Sequence, residues 1–170
     1  AELKTTTKLF CRCLSTFGRE PNGQCCAVCL GHPGTLPVLN GEAVRLTALA
    51  ASALKCHVAL HSQFDRKHYF YPDIPKGYQI TQWYKPLAVH GCVAYMWRGQ
   101  LYSAAISRLH LEEEAAKSIH GQSNILSSKA ALLDYNRAGI PLIEIVTAPA
   151  FSNPNQSRAF LEELRRILVH

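Results

Sequence analysis

The sequence predicts an α+β domain with a largely antiparallel sheet and helices packed on it, plus a cysteine-rich loop. Three observations carry this prediction. Short apolar, β-branched and aromatic runs separated by turn residues fill the middle of the chain, from His57 to Val146. Two helical patterns lie outside that region, over 40–54 and 153–170. No strand–helix alternation repeats along the chain, which disfavours a doubly wound parallel sheet.

The elements follow in order. Thr5 to Cys13 reads as a short strand leading into a cysteine loop over 11–29. Gly31 to Asn40 is a connector. Asn40 is placed to cap a helix whose apolar face is Ala43, Leu46, Ala50 and Leu54. His57 to His61 and Lys67 to Tyr71 read as strands. Leu87–Val89 and Val93–Trp97, on either side of His90-Gly91, read as a hairpin. Arg98-Gly99-Gln100 marks a further turn before a third strand, Leu101 to Leu111. The segment 111–119 is ambiguous, because Glu112 to Lys117 has high helix propensity. Gly121 to Ser128 is a polar loop, and Leu132 to Asn136 and Leu142 to Val146 are strands. The last helix carries the clearest start signal: Asn153 as cap, Pro154 in the first turn, and Gln156 at capping-box spacing. Its apolar face is Phe160, Leu161, Leu164, Ile167 and Leu168.

Composition sets the outer limits. With 170 residues, 48% of them apolar and 18% charged, the chain has enough material for one core and too little charge for bulk disorder. The net charge of +6 favours polyanionic partners such as RNA or a nucleotide. No apolar run reaches the ~18 residues of a membrane span. The seven cysteines are odd in number and clustered, which suits a reducing compartment better than a disulfide framework. The abrupt ends, at Ala1 and inside a helical pattern at His170, suggest a chain truncated at both ends.

Three groups of residues can carry chemistry. Cys11-x-Cys13 and Cys26-x2-Cys29, twelve residues apart, can wrap a tetrahedral zinc ion with sulfurs at about 2.3 Å, as a structural site with every position filled by protein. The alternative is a set of buried free thiols, and Cys25 is the bystander. Next come Glu112, Glu113 and Glu114, with Lys117, His120 and the later Glu144. A carboxylate inside the apolar run Pro141–Val146 needs a partner or a metal, and Mg²⁺ with a nucleotide phosphate would serve. The competing reading is a solvated helix face on which Glu113 and Lys117 pair at i,i+4. The third group is the stretch from Phe64 to Thr81. It sets Asp65, Arg66, Lys67, His68 and Lys76 among Phe64, Tyr69, Phe70 and Tyr71. Arg66 and Lys67 there either hold phosphate or snorkel over apolar surface. The chain has no P-loop, no G-x-G-x-x-G and no G-x-S-x-G.

Taken together, Lys8–Cys11, Glu20-Pro21-Asn22, Pro33-Gly34, Leu36–Asn40, the block 64–81, Arg108–Glu113, Lys117-Ser118, Asp134–Gly139 and Pro141–Val146 resemble the B subunits of the aspartyl/glutamyl-tRNA(Asn/Gln) amidotransferases. The resemblance covers almost the whole chain. It implies a partial cradle (catalytic) domain over 1–170 with a glutamine-synthetase-like fold, in which 112–120 is strand and loop, against its propensity. It further implies ATP-dependent conversion of Glu-tRNA(Gln) or Asp-tRNA(Asn) to the amide through an acyl-phosphate, with ammonia drawn from glutamine.

The cofactors implied are ATP, Mg²⁺ and Zn²⁺. The partners implied are the amidotransferase A subunit (the glutaminase), the small C subunit or its organellar equivalent, and aminoacylated tRNA, with no membrane. By the same resemblance Lys67 and Glu113 are catalytic, and Arg66, Lys67 and Lys117 handle phosphate. Glu112, Glu113 and Glu144 face magnesium, and Cys11, Cys13, Cys26 and Cys29 hold zinc.

The chain departs from the family pattern at Glu114-Ala115-Ala116 and at Thr147-Ala148-Pro149-Ala150, where two usual carboxylates are lost. The family's G-L-E-x-H motif is expected ahead of Ala1. These departures point to a mitochondrion or plastid in a eukaryotic source, and otherwise the cytoplasm is expected. They also leave an alternative function, a zinc-stapled RNA-binding or structural fragment without catalytic activity.

Overall fold

A computed structural model describes residues 1–120 and 131–169. The elements are α1 (Gly41–Ala53), β1 (His57–Val58), β2 (Asp65–His68), β3 (Tyr78–Thr81), β4 (Ala88–Trp97), β5 (Gln100–Glu113), β6 (Lys117–His120), β7 (Ala131–Asp134), β8 (Pro141–Thr147) and α2 (Pro154–Val169). The α+β expectation holds, as do the helix starts. The chain divides into two compact units. The first comprises Ala1–Ala43, Asp65–Thr81 and Glu112–Leu142; the second comprises Val44–Phe64, Gln82–Leu111 and Ile143–His170. The expected loop over 121–128 lies outside the described residues.

The second unit holds most of a four-stranded sheet in the order β1-β4-β5-β8. Strands β4 and β5 pair antiparallel from Ala88↔Leu109 to Trp97↔Gln100. Arg98 and Gly99, at φ 50° and 75°, form the two-residue turn between them, the twist that suits a hairpin. The turn expected at His90-Gly91 does not form, and β4 runs straight through it. Gly91 is there for close approach instead. A Cβ on it would lie 2.6 Å from Leu54 O and run into the Cys56 sulfur. His90, at φ 57°, lets β4 change its inward side. Ala88 is buried before it, and Gly91, Val93 and Tyr95 after it, while the register of β5 is unchanged on either side.

The expected strand His57–His61 shrinks to two residues. Extending its register puts Leu60 opposite Pro86, which has no N–H to offer a ladder, and Leu60 is 96% exposed.

Helix α1 is capped by Asn40, whose Oδ1 accepts the Glu42 N–H at 3.0 Å. Its fully buried line is Ala43, Thr47, Ala51 and Leu54, rotated by about one residue from the expected face. Helix α2 starts as its sequence predicts. Asn153 Oδ1 accepts the Gln156 N–H, and Gln156 Oε1 accepts the Ser152 N–H, both at 3.0 Å. Phe160 is buried against Phe151 and Tyr95, with ring centroids 4.9 and 5.8 Å away. Leu161, expected on the same face, is exposed, because one residue of helical rotation carries it past the edge of the contact.

The first unit holds the hairpin β2–β3, in register from Asp65↔Thr81 to His68↔Tyr78, and the pair β6–β7. The strand expected over Thr5–Cys13 does not form. This segment makes one bridge, Thr7↔Leu14, and turns back on itself, with Lys8 N–H on Cys13 O and Leu9 N–H on Gly139 O. The segment 112–120 is strand, loop and strand, in line with the strand and loop that the resemblance implied. Its helix propensity gives way to long-range bonds: Glu114 N–H to Ile140 O and Ala116 N–H to Asp73 O, each 2.9 Å. The i,i+4 pairing of Glu113 with Lys117 therefore has no helix to form on. Among the described residues, no helix is long and apolar enough to cross a membrane.

Candidate active-site wall and cysteine cluster

In the first unit, β5 ends on two buried carboxylates. Glu113 is the better held. Lys76 Nζ donates to it, and the Ile80 N–H donates to its Oε1 at 3.1 Å. Gln79 Nε2 donates to its backbone carbonyl at 2.7 Å, and Tyr69 OH in turn donates to Gln79 Oε1 at 3.4 Å. Glu112 accepts the Thr81 hydroxyl at 3.1 Å. Glu114 is paired with Arg137 at 2.9 Å. Every partner of Glu112 and Glu113 named here comes from the β2–β3 hairpin or the turn before β3, so the aromatic and basic stretch 64–81 is in fact the wall that faces the carboxylates. Tyr69 registers both effects: burial pushes its hydroxyl up, and the negative charges of Asp73, Glu112, Glu113 and Glu114 push it further.

Alternation along β2 sends Arg66 and Lys67 to opposite faces. The Arg66 guanidinium lies 4.4 Å from the centroid of the Tyr78 ring, and Lys67 Nζ lies 5.4 Å from that of Tyr69. Both cations are exposed. Lys67 thus shares the face of Tyr69 and Gln79, whereas Arg66 shares that of Tyr78, whose ring Lys76 Nζ also approaches, at 5.7 Å from the centroid. Lys117 sits on β6 opposite Asp134.

Glu144 belongs to the second unit. It projects from β8 on the side away from buried Ile143, its side chain 46% exposed and 3.7 Å from His110 Nε2. Its place in an apolar run thus needs no buried charge.

Sequence reading assigned no role to Lys76, Tyr69, Gln79 or Lys8. The signal for Lys76 was its place between Pro75 and Gly77 (φ 72°), a turn that aims one long cation.

The four cysteines expected to act together do converge. The sulfurs of Cys11, Cys13, Cys26 and Cys29 all lie within 4.8 Å of one another, with Cys26 and Cys29 3.9 Å apart. A zinc tetrahedron with 2.3 Å bonds has S···S edges of about 3.8 Å, so the donor set fits that ion. Cys25 stands aside, its thiol donating to Asn136 Oδ1 at 3.8 Å.

The charge distribution is uneven. A hydrogen bond from the Cys11 thiol brings Cys29 down to about 4 despite its burial, with help from the Cys26 N–H and Lys8. Cys11 is pushed up in exchange, and burial with a hydrogen bond to Cys26 pushes Cys13 up to about 11. Lys8 is fully buried. Its ammonium donates to Cys29 Sγ at 3.5 Å and to Tyr135 O at 3.2 Å. A buried ammonium needs a compensating anion, and a Cys29 thiolate supplies one.

The Lys76–Glu113 pair has a measurable consequence. Lys76→Met strands a carboxylate that is 5% exposed and is expected to cost about 3–5 kcal/mol. Combining it with Glu113→Gln should recover much of that loss, because no buried charge is then left alone. Urea unfolding of the two single variants and the double variant measures the coupling. Simple additivity of the two losses contradicts this account of the pair.

The family described as GatB/GatE catalytic domain matches residues 1–170. The aspartyl/glutamyl-tRNA(Asn/Gln) amidotransferase B subunit of Carboxydothermus hydrogenoformans is 50% identical over 169 residues, covering 99% of this chain and 35% of that protein. The B subunits of Frankia casuarinae and Caldicellulosiruptor saccharolyticus are 46% and 47% identical over 170 residues. These matches cover 98% and 100% of this chain and 34% and 35% of those proteins. The chain thus spans about a third of the length of these relatives. With this match over its whole length, the chain belongs to the GatB/GatE catalytic-domain family.

Proposed function

We propose that the chain forms the glutamine-synthetase-like cradle of an amidotransferase B subunit, where ATP phosphorylates the side-chain carboxylate of a misacylated Glu-tRNA(Gln) or Asp-tRNA(Asn), releasing ADP, and ammonia then displaces phosphate from the acyl-phosphate to leave the amide. The glutaminase would draw that ammonia from glutamine, and the small third component or its equivalent would complete the assembly. The observation that carries this reading is Glu113, whose buried carboxylate is held by Lys76 and the Ile80 N–H and whose backbone carbonyl is held by Gln79, beside a basic, aromatic hairpin.

Phosphate chemistry needs positive charge where negative charge develops. Lys67, on the Tyr69 face of β2, is the cation we assign to that task, with Arg66 and Lys117 as further phosphate contacts. Glu113 and Glu112 offer hard oxygen donors suited to Mg²⁺, and Glu144 is a further candidate. When bound, magnesium would offset phosphate charge. Lys76 pairs with Glu113 and aims it, and the backbone N–H of Ile80 fixes the orientation of its carboxylate. Cys11, Cys13, Cys26 and Cys29 would hold a structural zinc ion.

In a complex assembled with the glutaminase and the small third component, Glu113→Gln and Lys67→Ala should each lower ATP- and glutamine-dependent amidation of misacylated tRNA by about 10²-fold or more, with tRNA binding retained. Full activity in either variant removes that residue from the proposed role, and full activity in both removes the site. Salt-sensitive RNA binding with no ATP-dependent product in the wild-type complex favours the non-catalytic alternative.

Zinc uptake is expected to release protons. Cys11 and Cys13 titrate above the ordinary thiol, so both are protonated near neutral pH and must ionise to ligate. Zinc affinity therefore falls as pH falls. Calorimetry in buffers of different ionisation enthalpy reads the protons directly, and zinc binding without proton release contradicts the assignment of these two ligands.

A further inference from the structure

The cysteine cluster and the Lys76–Glu113 pair lie on two sides of one thin wall inside the first unit. Gly31, two residues beyond Cys29, has φ +72°, and a Cβ on it would stand 2.9 Å from Lys76 Cα and 3.1 Å from Lys76 Cβ. The backbone of the cysteine loop therefore rests directly on the stem of Lys76. Gly139, at φ +87°, fills the next position of the wall. A Cβ there would lie 3.5 Å from Cys29 Cβ, 3.5 Å from Lys8 Cδ and 3.9 Å from Glu113 Oε2. Cys29, Lys76, Glu113 and Gly139 line the same small cleft.

The turn that carries Gly31 is closed on itself, with Leu30 N–H on Cys26 O, Gly31 N–H on Val28 O and His32 N–H on Ala27 O. A displacement of Cys26 or Cys29 is therefore passed to Gly31. Lys76 needs such a seat, since holding a lysine side chain with its ammonium on Glu113 costs rotamer entropy.

We infer that the cysteine loop is a positioning element for Lys76, and that Gly31 is its point of contact. Closing the four sulfurs on a metal fixes the turn from Cys26 to Gly31. The turn presses on the Lys76 stem and keeps the ammonium against Glu113, while Gly139 leaves room for both sides to meet. Opening the cluster releases Lys76. The inference rests on the zinc reading of the cysteines, and its test does not depend on amidation.

The experiment is reductive dimethylation of the whole chain with formaldehyde and cyanoborohydride, read lysine by lysine by mass spectrometry, with metal content measured in parallel. In the zinc-loaded chain, Lys76 should react on the order of tenfold more slowly than the exposed Lys67 and Lys85. Chelation should bring Lys76 up to their rate while leaving theirs unchanged. Gly31→Ala with zinc still bound should expose Lys76 in the same selective way.

Equal Lys76 rates with and without metal overturn the inference, and so does a rise at all lysines alike. A Gly31→Ala chain that keeps both its zinc and its Lys76 protection overturns it as well. Should Gly31→Ala fold poorly, the chelation arm decides. If metal analysis finds no zinc, the zinc reading fails, while Gly31→Ala still tests the contact between loop and lysine.

Discussion

The site depends on satisfying one carboxylate buried inside the protein. Glu113 is 4% exposed, and a lone charge at that depth would either neutralise or destabilise the fold. The chain answers with a cation and a backbone N–H on the carboxylate, and with a side-chain amide on the backbone carbonyl of the same residue, all from residues 76–80. That requirement explains why β2 and β3 exist as a separate small hairpin, and why its turn carries Pro75, Lys76 and Gly77 in succession. It also explains why a segment rich in helix formers becomes the end of a strand. A helix over 112–117 would turn Glu113 away from these donors.

The cysteine cluster solves the same problem with the charges reversed. Lys8 is buried as an ammonium, and its anion is the Cys29 sulfur. Four thiolates around a divalent ion carry a net negative charge, so a buried ammonium at 3.5 Å offsets part of it. Lys8 and Lys76 thus stand in equivalent relations to two adjacent centres. Both are lysines drawn into the interior by a specific anion, and Gly139 lies where the two centres come closest.

Features set by neighbours in sequence were legible. The cap and first turn of α2 and the Arg98-Gly99 turn follow from chemistry within a few residues, and each cysteine pair was marked by its own close spacing. Features set by distant partners were not. Gly91 read as a turn because its reason, the Leu54 and Cys56 atoms packed on it, lies far back in the sequence. Lys76 looked like one basic residue among several, because its partner is 37 positions away. Arg66 and Lys67 looked like a pair, until strand alternation placed them on opposite faces. Glu144 looked buried in its apolar run, yet it faces outward toward His110. The family resemblance supplied the strand over 112–113 that propensity opposed, and the long-range bonds of Glu114 and Ala116 supply its physical cause.

The proposal turns on Glu113 being a metal-facing carboxylate and not only a structural one. Electron paramagnetic resonance with Mn²⁺ in place of Mg²⁺, in the assembled complex with ATP, tests this most directly. The account predicts ATP-dependent Mn²⁺ binding in the wild type and its loss in Glu113→Gln, with bound zinc unchanged. Equal Mn²⁺ binding in both proteins would contradict it and leave Glu113 as a structural partner of Lys76 alone.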